Sequence, residues 1–277
     1  MIELPEAHTL AKQLEDAYQG KTVDYVEAGK IPHGFAFFYG DPALYPDMLV
    51  GRTIERAYPC GGQVEMAAGD IRLSFNDGVN IRYLAPGTAE PKRHQLYIRF
   101  EDGSALSCTV QMYGGMQVFP TGALRGNYYY TVSREKPSPY EPAFSEEYFQ
   151  SIVRETKQTL SVKALLATEQ RIPGLGNGCL QDILFRARLN PQTKLHRLSD
   201  GDYTRLYECV TRTLLEMRDG GGRDTEKDLY GAPGGYRSTL SKATYAYPCP
   251  SCGGGIERKA FLGGNVYFCP ICQPVLK

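Results

Sequence analysis

The sequence predicts an α+β protein in three parts: an N-terminal β-sandwich opened by one helix, a helical domain, and a C-terminal cysteine hairpin. Three observations carry this. Residues 22–118 hold short stretches that alternate apolar and polar side chains, as half-buried strands do. Beyond residue 143 the apolar spacing becomes helical. Two CxxC pairs, Cys249-Pro-Ser-Cys252 and Cys269-Pro-Ile-Cys272, lie sixteen residues apart near the C-terminus. The expected boundaries are 1–135 for the sandwich, 136–142 for a linker, 143–237 for the helical domain and 238–277 for the hairpin.

The opening helix is read over residues 5–18, where apolar groups recur at 7, 10, 11, 14, 17 and 18 and Gly20 ends the run. Ile71–Phe75, Val79–Tyr83 and Leu96–Phe100 read as strands. Asn76-Asp77-Gly78 and Glu101-Asp102-Gly103 are expected to close hairpins. Residues 136–142 contain three prolines in seven positions and read as a stiff linker. Helices are expected over roughly 145–158, 161–170, 178–189 and 199–218, the last stopped by Gly220-Gly221-Gly222. Tyr128-Tyr129-Tyr130 are expected on strands, as core or rim.

The chain has 277 residues, 42% of them hydrophobic and 22% charged, a composition of soluble globular proteins. No apolar run approaches the ~20 residues of a membrane span. The acidic start, Met1 to Glu6, does not read as a secretion signal, so a reducing cytoplasm, no membrane contact and a monomer are expected. The formal net charge is zero, which supplies no global pull toward nucleic acid. It is unevenly spread: residues 1–136 carry 13 Lys/Arg against 16 Asp/Glu, residues 137–277 carry 18 against 15. An anion-binding face belongs in the second half.

The four cysteines have the spacing of a zinc site. Two disulfides are the alternative, but the other cysteines (Cys60, Cys108, Cys179, Cys209) are scattered. Cys249, Cys252, Cys269 and Cys272 are therefore expected to hold one structural Zn²⁺, since four thiolates leave no open position. Between two expected helices lies Arg171-Ile-Pro-Gly174-Leu-Gly176-Asn177-Gly178. Pro173 breaks the first helix, Asn177 is placed to cap the second, and the loop is expected to present N–H groups to a phosphate. An ordinary inter-helix turn is the bland alternative.

Leu165 to Asn177, continuing to Asp182-Ile-Leu-Phe-Arg-Ala187, resembles the helix–two-turn–helix of the Fpg/Nei DNA glycosylases. Glu3-Leu4-Pro5-Glu6 is similar to that family's opening motif, and Cys269-Pro-Ile-Cys272-Gln273 to the close of its zinc finger. The resemblance spans the chain. It implies damaged or abasic double-stranded DNA bound between the two halves, with Gly174, Gly176, Asn177 and Arg223 as DNA contacts. It also implies base excision by an N-terminal proline amine, Schiff-base formation and strand cleavage. Glu3 would be acid/base at the sugar, and Glu6 would hold the N-terminus. Carboxylates at a helix start also complement the helix dipole.

The chain departs from this pattern at four places. Ile2 stands at the nucleophile position. No Lys lies in Tyr58–Gln63, where a phosphate-holding Lys is implied. Gly264 stands where the finger has an Arg, and Gln111-Met112-Tyr113-Gly114 replaces an Arg-containing wedge. The loop Gly220–Gly231 falls where the family has a mobile lesion-covering loop, with Arg223 and Lys227 available to phosphate or base. The leading expectation is a damaged-DNA-binding protein with altered or lost glycosylase/AP lyase chemistry. Its rivals are an active enzyme using a displaced amine (Met1 or Ile2, with Glu3) and a structured-RNA module.

Overall fold

The structure is a computed structural model that describes residues 1–276. Helix α1 (Leu4–Tyr18) has Pro5 in its first turn, where a missing N–H costs nothing. It buries Ala7, Leu10, Ala11, Leu14 and Tyr18 against the sandwich, while Leu4 joins the core of the helical half. One helix thus anchors both halves.

The sandwich strands are β1 (Val23–Ala28), β2 (Ala36–Phe37), β3 (Arg56–Cys60), β4 (Gln63–Ala68), β5 (Ile71–Asn76), β6 (Val79–Leu84), β7 (Leu96–Phe100), β8 (Ala105–Val110) and β9 (Gly114–Pro120), with a short helix α2 (Tyr45–Leu49) after β2. They form a five-stranded sheet, β2-β9-β5-β4-β3, and a four-stranded sheet, β1-β7-β8-β6. The period-two pattern has a direct cause: Val64, Met66, Leu73, Phe75, Met116 and Val118 of one sheet share a core with Ile81, Ile98, Leu106 and Cys108 of the other.

Two local expectations change. Glu101-Asp102-Gly103 does join paired strands, β7 and β8. Asn76-Asp77-Gly78 does not: β5 pairs with β4 and β9, and β6 with β8, so this turn carries the chain between sheets. The sequence cannot separate these cases, because both turns need a left-handed residue (here Asp77 at φ 52°). Tyr128-Tyr129-Tyr130, expected on strands, open helix α3 (Tyr128–Glu135), whose first turn is capped by the Asn127 side chain accepting the Tyr130 N–H.

The proline-rich segment after α3 is packed: Tyr140 lies edge-on to His8 and donates to the Leu214 carbonyl. Four further helices follow: α4 (Glu146–Glu155), α5 (Val162–Ala167), α6 (Cys179–Arg186) and α7 (Asp200–Asp219). Helix α5 stops earlier than expected, because Glu169 and Gln170 both turn left-handed (φ 56° and 47°) ahead of Pro173. Strands β10 (Glu257–Phe261) and β11 (Gly264–Phe268) form the C-terminal hairpin, turned by Leu262 and Gly263, both at positive φ. The hairpin is tied to the helices by Gln273, which donates to the Leu189 carbonyl, and by the buried Lys163, which donates to the Phe261 carbonyl. Among the described residues no helix is long and apolar enough to cross a membrane.

Candidate functional site

The site is assembled where the N-terminus meets the loop between α5 and α6. Glu3 is buried, and its carboxylate faces the start of α6. Oε1 accepts the Gly178 N–H at 2.8 Å; Oε2 accepts the N–H groups of Cys179 at 2.8 Å and Gly176 at 3.2 Å. These are the orphan donors of a helix N-terminus, and a carboxylate is their natural partner. The N–H groups that the sequence assigned to a phosphate are therefore held by Glu3.

Asn177 does not cap α6. Gly178 is the residue before the helix, with no side-chain cap of its own, and the cap is supplied by Glu3. Instead the Asn177 amide donates to the Asn265 carbonyl at 2.9 Å, linking the loop to the hairpin, and its Oδ1 is buried without a partner.

The glycines of the loop serve close approach. A Cβ at Gly176 would fall 2.6 Å from Cδ of Glu3, and one at Gly178 would collide with the Arg223 guanidinium. Gly174 (φ +80°) meets the tip of the β3–β4 hairpin backbone to backbone: a Cβ on Gly62 would lie 2.9 Å from its Cα. That tip is the segment in which a phosphate-holding Lys is implied. The contact leaves no room there for any side chain at Gly62.

Arg223 is turned inward. It is 3% exposed, with Nε and Nη2 donating to Glu6 at 3.0 and 2.8 Å and Nη1 lying 3.5 Å from Glu3. Glu6 also accepts the Arg223 N–H at 3.0 Å and the Glu3 N–H at 3.2 Å. Arg223 is thus committed to an internal pair of carboxylates, where the sequence expected it to reach DNA. Two carboxylates about one guanidinium explain the arrangement: Arg223 is hydrogen-bonded to Glu6 and ion-paired with Glu3, whose own hydrogen bonds come from backbone N–H groups. Burial alone pushes the Glu3 carboxyl up; Arg223 and the N–H donors of Cys179 and Gly178 outweigh it and hold Glu3 below the usual carboxylate range. The same carboxylates push Arg223 up against the effect of its burial.

The rest of the glycine loop is equally committed. Leu229 is buried in the sandwich core, Asp228 receives the Gln13 amide, and the Tyr83 N–H donates to the Leu229 carbonyl. Lys227 stays exposed. At the N-terminus the Met1 ammonium pairs with Glu226, and the buried Ile2 is a peptide nitrogen donating to the Asp77 carbonyl at 2.6 Å. The sequence reading singled out neither Glu226 nor the Asp77 carbonyl. Beside this turn, Tyr113 and Met112 stand exposed at the β8–β9 connection, with the Gly78 N–H bonded to the Tyr113 carbonyl.

The four hairpin thiols converge. Cys249 and Cys272 sulfurs are 3.8 Å apart and Cys252 and Cys269 sulfurs 3.5 Å, with all four within 4.8 Å of one another and none in a disulfide. Four ligands about 2.3 Å from a central ion would be spaced by about 3.8 Å, so the set fits a tetrahedral metal. The Cys269 N–H donates to the Gln273 side chain, which fixes the second knuckle.

A model of the formamidopyrimidine-DNA glycosylase H2TH domain matches residues 136–226. Among curated proteins, the formamidopyrimidine-DNA glycosylase of Bacillus cereus is 26% identical over 285 residues, covering 99% of each chain. That of Exiguobacterium sibiricum is 29% identical over 287 residues with the same coverage. Among solved structures, the MutM (Fpg) protein of Thermus thermophilus superposes with TM-score 0.81 at 24% identity, covering 99% of each chain. The Lactococcus lactis Fpg, in complex with DNA containing an abasic site, does so with TM-score 0.84 at 22% identity, over 98% of this chain and 99% of that one. The shared fold, the full-length sequence relatives and the matched H2TH region agree: this chain belongs to the Fpg/Nei family.

Proposed function

We propose that this protein binds damaged or abasic duplex DNA, as a cytoplasmic monomer, with the family's glycosylase and lyase chemistry altered or lost. The observation that carries the second half is at Ile2. The family's nucleophile is a proline amine; this position holds Ile2, whose side chain is buried, and with Met1 retained its nitrogen is a peptide N–H donating to the Asp77 carbonyl. With Met1 retained, as a side chain as large as isoleucine at position 2 favours, the terminal amine pairs with Glu226, one residue away from where attack is implied. A displacement of ~1 Å at a reacting centre costs about 10²-fold. Glu3 supports the same reading: both its oxygens are filled, and it is held ionised rather than poised to give a proton.

The binding half rests on what remains. The Asn177 bridge positions the loop against the hairpin, and Arg258 and Lys259 lie exposed along β10 to meet phosphate where Gly264 offers nothing. Met112 and Tyr113 form an exposed apolar pair suited to enter a gap in a base stack. A lesion-bearing duplex deforms at lower cost, which favours it over intact DNA. One Zn²⁺ held by Cys249, Cys252, Cys269 and Cys272 would stiffen the hairpin without chemistry of its own. The relatives align over the sandwich and hairpin as well as the helices, which favours duplex DNA over a structured-RNA module. The test compares affinity for abasic-site and intact duplexes of one sequence. Preference for the abasic duplex of tenfold or more supports the reading; equal affinity refutes it.

A further inference from the structure

The outer side of the five-stranded sheet carries a pocket that the glycosylase fold does not account for. Register places Arg56 of β3 and Arg72 of β5 on either side of Ala67 of β4, so both side chains leave the same face. Tyr58 stands opposite Glu65 on that face, and α3 lays Tyr130 and Arg134, one helical turn apart, onto the same carboxylate. Arg56, Tyr58, Arg72, Tyr130 and Arg134, with Arg125 at the entry to α3, line a cavity of about 450 Å³.

Its charge is unbalanced. Glu65 is buried and already accepts the hydroxyls of Tyr58 and Tyr130 as well as Arg134 at 3.2 Å, with Arg72 at 3.6 Å. One carboxylate therefore serves two guanidiniums. Arg56 lies 4.8 Å over the Tyr58 ring, and neither it nor Arg125 has an ion pair among the described residues. The lining itself contains one acid, Glu135, and Glu65 lies buried beneath it. Four guanidiniums face two carboxylates around a space large enough for a nucleotide. Several planar forks converging on one cavity match the oxygens of a phosphate better than the single plane of a carboxylate.

We propose that this pocket, formed by Arg56, Arg72, Arg125 and Arg134 over buried Glu65, is a second anion site that takes a phosphate group. Arg72 and Arg134 are held in place by Glu65, and Arg56 and Arg125 supply the free charge. It is separate from the N-terminal cleft: Arg56 is at the end of β3 away from the hairpin tip, roughly 13 Å at strand rise from Cys60 beside that tip. The phosphate belongs either to a small phosphorylated compound or to the backbone of DNA running beyond the cleft. The latter source rests on the DNA-binding reading above.

The experiment uses the full chain and an Arg56→Ser/Arg125→Ser variant; both side chains are exposed and unpaired, so the fold should survive. In the first arm, inorganic phosphate or a nucleoside 5′-monophosphate replaces chloride at constant ionic strength. The wild type should gain about 2–4 °C in Tm at tenfold excess over Kd, and the variant should not. An Arg56→Lys/Arg125→Lys variant should keep part of the response, because charge remains without the fork. In the second arm, the salt dependence of binding to a long duplex should fall by about two units in the variant if the backbone is the source, and stay unchanged if it is a small compound. Wild type and Ser variant responding alike in both arms overturns the proposal, as does a stronger response to an acidic peptide than to phosphate. If the wild type binds no DNA, the DNA reading falls, and the first arm still decides the pocket.

Discussion

Glu3 caps a helix from the far side of the chain: its Oε1 accepts at 2.8 Å the N–H of Gly178, 175 residues further along and the last residue before α6. This one contact joins the N-terminus to the H2TH loop and fills the anion site that the loop would otherwise offer. It also brings Glu3 within 3.5 Å of Arg223, whose guanidinium ties Glu6 into the same cluster.

Replacing Glu3 by Gln keeps the shape and removes the charge, leaving Arg223 with one counter-ion in a buried site. A loss of about 3 kcal/mol in unfolding free energy is expected, read from urea denaturation at unchanged m-value. A change below about 0.5 kcal/mol, the size of an ordinary surface substitution, would show that the cluster contributes nothing to stability.

The same residue sets a pH dependence. Glu3 is held below its ordinary value of 4.5 in the folded protein, so the unfolded chain binds its proton first as pH falls. Its contribution is complete above the unfolded value and disappears as pH drops through the lower folded value. Stability against pH should therefore fall less steeply below pH 4.5 in Glu3→Gln than in the wild type. Parallel curves would contradict the assignment.

Gly174→Ala should be costly, because position 174 is left-handed and its Cβ would strike the Gly62 backbone. Strain of about 1–3 kcal/mol is expected from the conformation alone, with the collision in addition. Gly20→Ala, also left-handed but with nothing near its Cβ, is the control and should cost less. Equal losses at the two positions would mean that the loop and the hairpin tip do not touch in solution.

The arrangement of these residues shows what sequence carries and what it hides. Alternation in β5 and β6 and the helical spacing of α1 were legible because the apolar face of each is buried in a core. The cysteine set was legible because metal geometry fixes local spacing. Sheet membership of β5 and β6 was not, since the turn Asn76-Asp77-Gly78 has the same composition whether it closes a hairpin or changes sheets. Arg223 misled for a related reason. A basic residue beside glycines reads as exposed, and only the folded chain brings two carboxylates from α1 against it. The glycines of 174–178 serve close approach, of the Gly62 backbone at Gly174 and of Glu3 at Gly176 and Gly178, where the sequence suggested a phosphate.

Asn177→Ala should lower affinity for abasic and intact duplexes by a similar factor, since the lost bond to Asn265 loosens the loop against the hairpin without touching a base. Stability should fall by about 1 kcal/mol, the net worth of one hydrogen bond. Unchanged DNA affinity with the same stability loss would leave Asn177 as a structural link alone.

Metal analysis should find about one zinc per chain, and chelation should unfold the hairpin while the sandwich persists. The thiols of Cys249, Cys252, Cys269 and Cys272 otherwise have only a two-stranded hairpin around them, too little to hold shape unaided. Cys252→Ser should reproduce the effect of the chelator. A mass showing oxidised thiol pairs in the native protein would contradict this.

Binding of a lesion-bearing duplex without the family's amine chemistry is what would set this chain apart from an ordinary Fpg. Borohydride trapping on an abasic-site duplex, with the mature N-terminus established by intact mass, decides the matter. A bound complex with little or no covalent adduct is expected, because Ile2 stands in place of the proline and, with Met1 retained, its nitrogen is a peptide N–H bonded to Asp77 and the Met1 amine pairs with Glu226. An adduct formed as readily as with an ordinary Fpg would contradict it and assign the chemistry to the displaced amine.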